Sequence, residues 1–553
     1  MGSNINNGIS KYTSTITEKF GEHVESINEA NRNEMHVTLR QLDSAPRLCE
    51  YIYSEFHGRL STIVCSDERR VANGCFMLRY VFSMSDDGND VFIVVTAKID
   101  QRNLSFPSIA LQIPAAFLYE REINDMFGLT PQGNPDVRPL VLHEDWPSGA
   151  FPLRKDFDIS TKMPREHKEY RFTKVEGEGV CEIPVGPVHA GIIEPGHFRL
   201  SILGEHIVNL ETRLFYTHKG IEKLAENRSL EETLLLAERI SGDESVANST
   251  AYCQAVEKIA QSSLPRRAEQ LRVVYAEMER IYNHLGTLAG ISTDVGYAYG
   301  SARLNILKER MMRLNETVTG SRLLFGVNRI GGVAVDVSDE VGKTFIETMN
   351  DVQQDFEAVI ALLGTKSSFI DRLRNTGVIP RKAAKELSIV GVAARCAGLD
   401  IDVRRDHSYA AYSGLRIDPH HDSPRSVTKY RIEMQKRVGD ALSRFEVRVD
   451  EVKDSMNIIE KVLRNLSEGE IRASVPQENL KPYSHGLGYA ESHRGETMHW
   501  LMLGENKNIF RYKVRTASFC NWPIIEQAVM NDIIPDFPLV NKSLDLSYSG
   551  NDL

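Results

Sequence analysis

Between Gly128 and Lys174 six prolines, Pro131, Pro135, Pro139, Pro147, Pro152 and Pro164, stand among Gly, Asp and Arg. Proline lacks a backbone N–H and fixes φ, so no long helix can cross this stretch. The chain on either side is patterned differently. Before it, short apolar and β-branched runs at Met35 to Leu39, Leu60 to Cys65, Cys75 to Phe82 and Val91 to Ile99 predict strands, with polar turns such as Asp86-Asp87-Gly88-Asn89 between the later ones. Ala45 to Phe56 and Ala115 to Phe127 predict helices, the second after a start signal at Pro114. Beyond it, an extended opening around Gly186 to Leu203 gives way to 3.6-residue apolar periodicity over Leu230 to Ala260, Arg266 to Ala289, Leu304 to Leu324, Val341 to Leu363 and Lys429 to Leu466. Such lengths suit helices packed along one another. The expected organisation is an α+β domain over residues 1–130, a connecting arm over 131–175, and a mainly α-helical domain over 176–553 that opens on a small β hairpin. Trp146, Phe151 and Phe157 suggest that the arm covers a surface.

A chain of 553 residues exceeds what one core supports, roughly 250 to 300 residues. Its 41% apolar and 26% charged residues are ordinary for a globular protein. The net charge of -10 is spread along the chain without a basic stripe, which argues against nucleic acid as a partner. The most apolar runs, Val91 to Ala97 and Ala358 to Gly364, fall well short of the roughly 18 to 20 residues of a membrane-spanning helix, so membrane association has to come through partners. Met1 to Lys11 has no export-signal pattern. The seven cysteines are scattered and never spaced as CxxC, which fits a reducing compartment and small buried hydrophobes. No internal repeat is visible.

Two ordered series of motifs narrow the field. Phe106-Pro107-Ser108, Glu120 to Gly128, Asn134-Pro135-Asp136 and Pro152 to Phe157 resemble the 30 kDa hydrophilic subunit of respiratory complex I. Taken alone, the charges Glu120, Arg121, Glu122 and Asp125 would read as a solvated helix face. The second series is Gly186-Pro187-Val188-His189, Glu194 to Phe198, Tyr216 to Glu226, Glu279 to Leu285, Arg329 to Val333, Asp402 to Arg405 and Arg494-Gly495-Glu496. It resembles the large subunit shared by complex I (49 kDa) and the membrane-bound, formate hydrogenlyase-type nickel-iron hydrogenases. The two series cover nearly the whole chain in the order of a fused pair, and they imply a nickel-iron hydrogenase large-subunit-like fold for the second domain.

In those hydrogenases two CxxC motifs supply four thiolates, because soft sulfur ligands suit the metals. At the first place this chain reads Glu238-Arg239-Ile240-Ser241-Gly242-Asp243-Glu244, with Ser241 and Glu244 where cysteines belong. At the second it reads Asp545-Leu546-Ser547-Tyr548-Ser549-Gly550, with Ser547 and Gly550 in the ligand positions. Serine is a hard, weakly acidic substitute and glycine offers no ligand, so the resemblance implies a chain that binds no nickel. The sequence ends at Leu553 without the tail that nickel hydrogenases cleave. Glu244, Asp243, Asp545 and Asn248 are oxygen donors of a kind that a hard cation takes, although scattered acidic groups are more often hydrogen-bonded.

Complex I also lacks the four cysteines, and its cleft receives a quinone. Its quinone-contacting tyrosine is replaced here by Arg239, and Glu194 and Pro195 fall near the place of its hairpin histidine, flanked by His189 and His197. The resemblance therefore singles out Arg239, Glu244, Arg494 and Glu222 as reacting groups and His189, His197, Ser241 and Asp545 as groups that hold the acceptor. It implies a core subunit of a complex I-like, NADH dehydrogenase-like quinone oxidoreductase that couples electron transfer to ion translocation. Expected partners are a small iron-sulfur (20 kDa-like) subunit with a 4Fe-4S cluster, a ferredoxin-like subunit, and antiporter-type membrane subunits. The chain would lie peripherally on the cytoplasmic side of the inner membrane, binding no cofactor itself except a quinone at an interface. A redox-inactive scaffold is the alternative, and hydrogen turnover at nickel is disfavoured by the lost ligands.

Overall fold

The computed structural model describes residues 5–31, 33–71, 74–85, 90–189, 193–415, 417 and 437–553. The turn expected at 86–89 and the first residues of the helix expected from Lys429 lie outside the described residues. The chain forms two compact units, one of residues 1–172 with 213–218 and 386–388, the other of 173–212, 219–385 and 389–553.

The first unit is built on a five-stranded sheet of β1 (Val24–Asn31), β2 (Glu34–Leu39), β3 (Arg59–Asp67), β4 (Cys75–Met84) and β5 (Val91–Asp100), in the order β1-β2-β5-β4-β3. β2 and β5 run parallel with Val37 opposite Val95, and the other pairs for which register is defined, β1 with β2, β5 with β4 and β4 with β3, are antiparallel. β4 is buried from Phe76 to Met84, which is why it reads as a continuous apolar run instead of an alternation. Helices α1 (Ile5–Phe20), α2 (Ala45–Ser54) and α3 (Ala116–Phe127) complete the α+β fold. α1 and the polar edge strand β1 were not expected from the sequence.

The α3 charges are not a solvated face. Glu120, Arg121, Glu122 and Asp125 are all buried, and Glu120, Arg121 and Asp125 wire the proline-rich arm to the helix. Asp125 accepts the N–H groups of Leu140, Val141 and Leu142 at 2.8, 2.9 and 3.2 Å. Glu120 accepts from Ile109 N at 2.8 Å and Asn134 Nδ2 at 2.8 Å. Gly128 ends α3 in a left-handed conformation (φ 66°), and a Cβ there would lie 2.4 Å from the Phe151 ring, so the arm packs where only glycine leaves room.

The second unit opens with a three-stranded sheet of Val180–Val185, His197–Leu203 and His206–Arg213. Its centre is the 29-residue helix Arg266–Asp294, whose Leu271, Val274, Met278, Ile281, Leu285 and Leu288 are at most 1% exposed. Helices Ala298–Thr319, Asp339–Gly364 and Ala441–Arg464 follow the expected periodicity. The single helix expected over Leu230 to Ala260 is instead two, Leu230–Ala237 and Ser245–Ala260, separated by the turn that carries Ser241 to Glu244. An antiparallel sheet of His485–Glu491, Glu496–Leu503 and Ile509–Arg515 was also not expected; it is buried nearly throughout and shows no period-two pattern. Gly486 and Gly488 bring it directly onto helix Ser245–Ala260, since Cβ atoms there would fall 2.3 Å from Ala255 O and 1.8 Å from Ala251 O. Among the described residues no helix is long and apolar enough to cross a membrane.

Candidate functional site

Three turns of the second unit meet. One is Ser241 to Glu244 between two helices, the second is Ser492 to Gly495 between two strands, and the third is Asp545 to Ser547, between helix Phe537–Leu544 and helix Tyr548–Asp552, whose first turn carries Gly550. The four positions that thiolates would occupy converge there. Ser241 Oγ lies 3.0 Å from Ser547 Oγ, and a Cβ at Gly550 would lie 3.1 Å from Ser547 Oγ and 3.3 Å from Glu244 Oε2. Ser241 gives its one hydroxyl proton to Asp243 Oδ1 at 2.5 Å, so Ser547 is the donor between the two hydroxyls, and Ser547 Oγ in turn accepts from Gly550 N at 2.8 Å.

Arg494 fills the middle of this cluster. Its Nη2 donates to Asp243 Oδ2 at 2.7 Å, its Nε donates to the carbonyl of Asp545, and its Nη1 stands 3.5 Å from Glu244 Oε2. Asp545 is fixed by Thr287 Oγ1 at 2.6 Å and Lys542 Nζ at 2.9 Å, and Glu244 Oε1 by Ser492 Oγ at 2.7 Å. Three carboxyls thus face one buried guanidinium. Burial alone would raise Asp243 and Asp545, but for Asp243 the Arg494 charge, and for Asp545 those of Lys542 and Arg494, outweigh it and hold both below the usual carboxylate range. Glu244 goes the other way, raised by burial and by the charge of Asp243 against the opposing pull of Arg494. Glu244 Oε2 and Arg494 Nη1 are buried without a hydrogen-bond partner. Asp243 is the open edge, with 36% of its side chain exposed.

Glu279 backs the cluster. It accepts the N–H groups of Val246 and Ala247 at 2.6 and 3.1 Å, at the start of helix Ser245–Ala260, and burial pushes it up to about 8 against those bonds.

The other expected residues lie elsewhere. Arg239 is 57% exposed on the side chain; it donates to Leu235 O at 2.9 Å, stands over the Phe325 ring at 5.3 Å and pairs with Glu238, none of which belongs to the cluster. Glu222 is buried against Arg511 Nη1 at 2.7 Å and Lys513 Nζ at 3.3 Å. It also accepts from Val514 N at 3.0 Å, which places it against strand Ile509–Arg515 and not among the groups around Arg494. His197 accepts from Arg199 at Nε2 and so donates from Nδ1 to Gly186 O at 3.1 Å, while His189 stacks near Phe198 at 6.2 Å. The hairpin residue that does reach the cluster is Glu194, which takes Ser549 N at 2.9 Å and the Ser549 hydroxyl. Glu194, Glu279, Thr287, Ser492 and His493 went unassigned in the sequence; only the Glu194 position near the hairpin histidine signalled one of them.

The site does not fit a soft metal. Two hydroxyls bonded to each other, a carboxyl turned toward a guanidinium and a glycine supply no thiolate. Nor does it fit the hard cation considered above, since Asp243, Glu244 and Asp545 surround the Arg494 guanidinium, which takes the place a cation would fill.

Comparison with known proteins agrees with this architecture. The family described as Respiratory-chain NADH dehydrogenase, 30 Kd subunit, matches residues 40–163, and Respiratory-chain NADH dehydrogenase, 49 Kd subunit, matches residues 294–486. Formate hydrogenlyase subunit 5 of Escherichia coli (strain K12) is 32% identical over 97% of this chain and 94% of its own length. Hydrogenase-4 component G of the same organism is 33% identical over 95% and 90%. The C/D polypeptide of the NADH-quinone oxidoreductase of Phocaeicola vulgatus is 28% identical over 85% and 91%. A chain of a solved membrane-bound sulfane sulfur reductase, an archaeal respiratory membrane complex, superposes with TM-score 0.61 and 25% identity, covering 68% of this chain and 99% of that one. The chain therefore belongs to the family of fused complex I 30 kDa and 49 kDa subunits that includes formate hydrogenlyase subunit 5 and hydrogenase-4 component G.

Proposed function

We propose that this chain is a hydrophilic core subunit of a membrane-associated, complex I-like oxidoreductase complex, that it works without nickel, and that the cleft around Arg494 shapes the place where the terminal acceptor, a quinone, is reduced. One observation carries this: the four former ligand positions still converge, but around a guanidinium and three carboxyls. Such a cluster handles protons and negative charge. The chain has no CxxC motif, so electrons come from a 4Fe-4S cluster in a small partner subunit and pass beside it. Reducing a quinone to a quinol consumes two electrons and two protons. Glu244, whose affinity for a proton burial raises, is the carboxyl beside Arg494 placed to pass one in that step, and the partly exposed Asp243 connects the cluster to water. Exposed Arg239 belongs to the rim, and Glu222, His189 and His197 position the strands and hairpin around the cleft. The ferredoxin-like and antiporter-type partners, and a peripheral position on the cytoplasmic side of the membrane, complete this assignment.

A scaffold that only holds the assembly together draws on a different feature, namely that Asp243 and Asp545 are already satisfied within the chain. The two roles separate in the purified complex, supplied with reduced donor and offered a quinone, sulfane sulfur or protons in turn. Quinol formation that falls at least about a hundredfold in Arg494→Met, and far less in Arg239→Ala, is the expected result. A scaffold gives no acceptor-dependent turnover that Arg494→Met alters, and reduction of sulfane sulfur in place of quinone would replace the acceptor named here.

A further inference from the structure

Behind the cluster lies a second assembly of buried charges that the proposed chemistry does not use. Helix Arg266–Asp294 contributes Glu277, Arg280 and His284; Arg395, Asp402 and Arg404 come from the segment 391–406, Glu451 from helix Ala441–Arg464, and Glu491 from strand His485–Glu491. All eight are at most 7% exposed. Arg395 joins Glu451 Oε1 at 2.8 Å to Glu491 Oε1 at 2.9 Å and stands 3.5 Å from Asp402. Arg404 joins Asp402 at 2.7 Å to Glu277 Oε1 at 3.0 Å. Tyr412 and Ser455 donate to Glu277 at 2.5 and 2.6 Å, and Arg280 lies 3.2 Å from Glu277 and 3.6 Å from Glu451. Arg280, Arg395 and Arg404 thus hold four carboxyls close together, with Arg448 beside Glu451, and a buried carboxyl crowded by another is the one most apt to keep a proton.

This assembly adjoins the Arg494 cluster at one end and nears the surface at the other. His493 Nε2 stands 3.9 Å from Asp545 Oδ2, and the His493 and His284 rings meet edge to face at 6.1 Å and 83°. His493 Nδ1 and Nε2 and His284 Nδ1 are buried without a hydrogen-bond partner in the protein, while His284 Nε2 bonds Glu451 Oε2 at 2.8 Å. At the far end Asp402 N donates to Asp406 Oδ2 at 2.9 Å, Arg405 bonds Asp406 and Asp400 at 2.8 Å each, and the Arg405 and Asp400 side chains are 32% and 25% exposed.

We propose that His493, His284, Glu451, Glu491 and Asp402 form a proton-exchange route through the second unit, with Glu491 as its resident proton holder, His493 and His284 as neutral relays bridged by water, and Asp406 and Asp400 as its mouth. Arginine does not give up its proton, so Arg395 and Arg404 hold the carboxyls in place while water between Glu451, Glu491 and Asp402 carries the proton from one to the next. A neutral imidazole offers one N–H and one lone pair and passes a proton without becoming a lasting charge. Burial pushes His284 down to about 4, with Arg448 and Arg280 reinforcing it against Glu451; burial and then Arg494 hold His493 far below its ordinary value against Asp243 and Asp545. Burial and then Asp402 push Glu491 up to about 7, against Arg395, Arg280 and Arg404. One proton entering at Asp406 is matched by one leaving at His493 toward the Arg494 cluster, so no net charge accumulates.

The proposal rests on the proposed function only for the use made of the protons, and two measurements keep the two apart. Infrared titration of the full-length chain reads buried carboxylic acids directly. The expected result is a protonated-carboxyl band that is lost with a midpoint at about pH 7 and is missing in Glu491→Gln, and no such difference between the two proteins overturns the proposal whatever the acceptor. In the assembled complex, His284→Phe and His493→Phe are expected to slow acceptor reduction about tenfold or more and to raise its solvent isotope effect, with reduction of the partner's clusters by the donor unchanged. Unaltered turnover and isotope effect in both variants would remove the relay even if Glu491 titrates as stated.

Discussion

Arg494 holds the three turns together, and its removal leaves Asp243, Glu244 and Asp545 facing one another. Arg494→Met is expected to lower stability by about 3 kcal/mol at pH 8, in the range for orphaning buried charges. Asp243 and Asp545 have folded-state pKa values below their unfolded ones, so the stability they contribute is present above the ordinary carboxylate range and is lost as pH falls. The deficit of Arg494→Met therefore shrinks as pH falls below the ordinary carboxylate range, and denaturant titrations of both proteins at several pH values measure this. Glu279 carries the opposite sign. Its folded pKa of about 8 lies above the model-peptide value of 4.5, so its contribution is full below that unfolded value and declines as pH rises through the folded one. Glu279→Gln is expected to flatten the fall of stability between about pH 5 and pH 8, and an unchanged slope would show that Glu279 is ionised in the folded protein. At this scale the sequence exposed which residues replaced the cysteines, because identity at a position is a local fact. It did not expose their company: Ser241 and Ser547 are 306 positions apart, and Arg239, adjacent in sequence to the cluster, turns outward to Phe325.

Among the elements, the helix Asp339–Gly364 was legible and the sheet 485–515 was not. Asp339–Gly364 buries Phe345, Met349, Val352, Phe356, Val359 and Leu363 along one face, so its period shows in the chain. The sheet 485–515 carries burial on nearly every residue and went unseen, although it holds the Ser492 to Gly495 turn in place. The helix expected across 230–260 breaks after Ala237, where the Glu238 side chain is held by Gly326 N at 2.7 Å, and Gly242 and Asp243 lead away from the helix axis before Glu244 begins the next one. Sheet and helix are held in contact by missing side chains. Gly488→Ala places a methyl 1.8 Å from Ala251 O, and the resulting displacement is expected to cost about 3 kcal/mol and to lower the thermal midpoint, whereas Gly364→Ala, which meets nothing within 4 Å, is expected to leave it unchanged or higher. Calorimetry on the two variants decides it.

For the whole molecule, the α+β and helical architecture and the membership in a fused complex I-type family were both readable from ordered motifs spread along the chain. What the sequence could not convey is that the replaced ligand positions stay packed against one another as a hydrogen-bonded cluster around Arg494 in place of an opened void. The nickel-free, proton-handling role proposed above rests on this packing. The most direct test is the nickel content of the purified complex, determined by elemental mass spectrometry against the amount of this chain. Nickel far below one atom per chain, with iron present from the partner clusters, is the predicted result; one nickel per chain would contradict it.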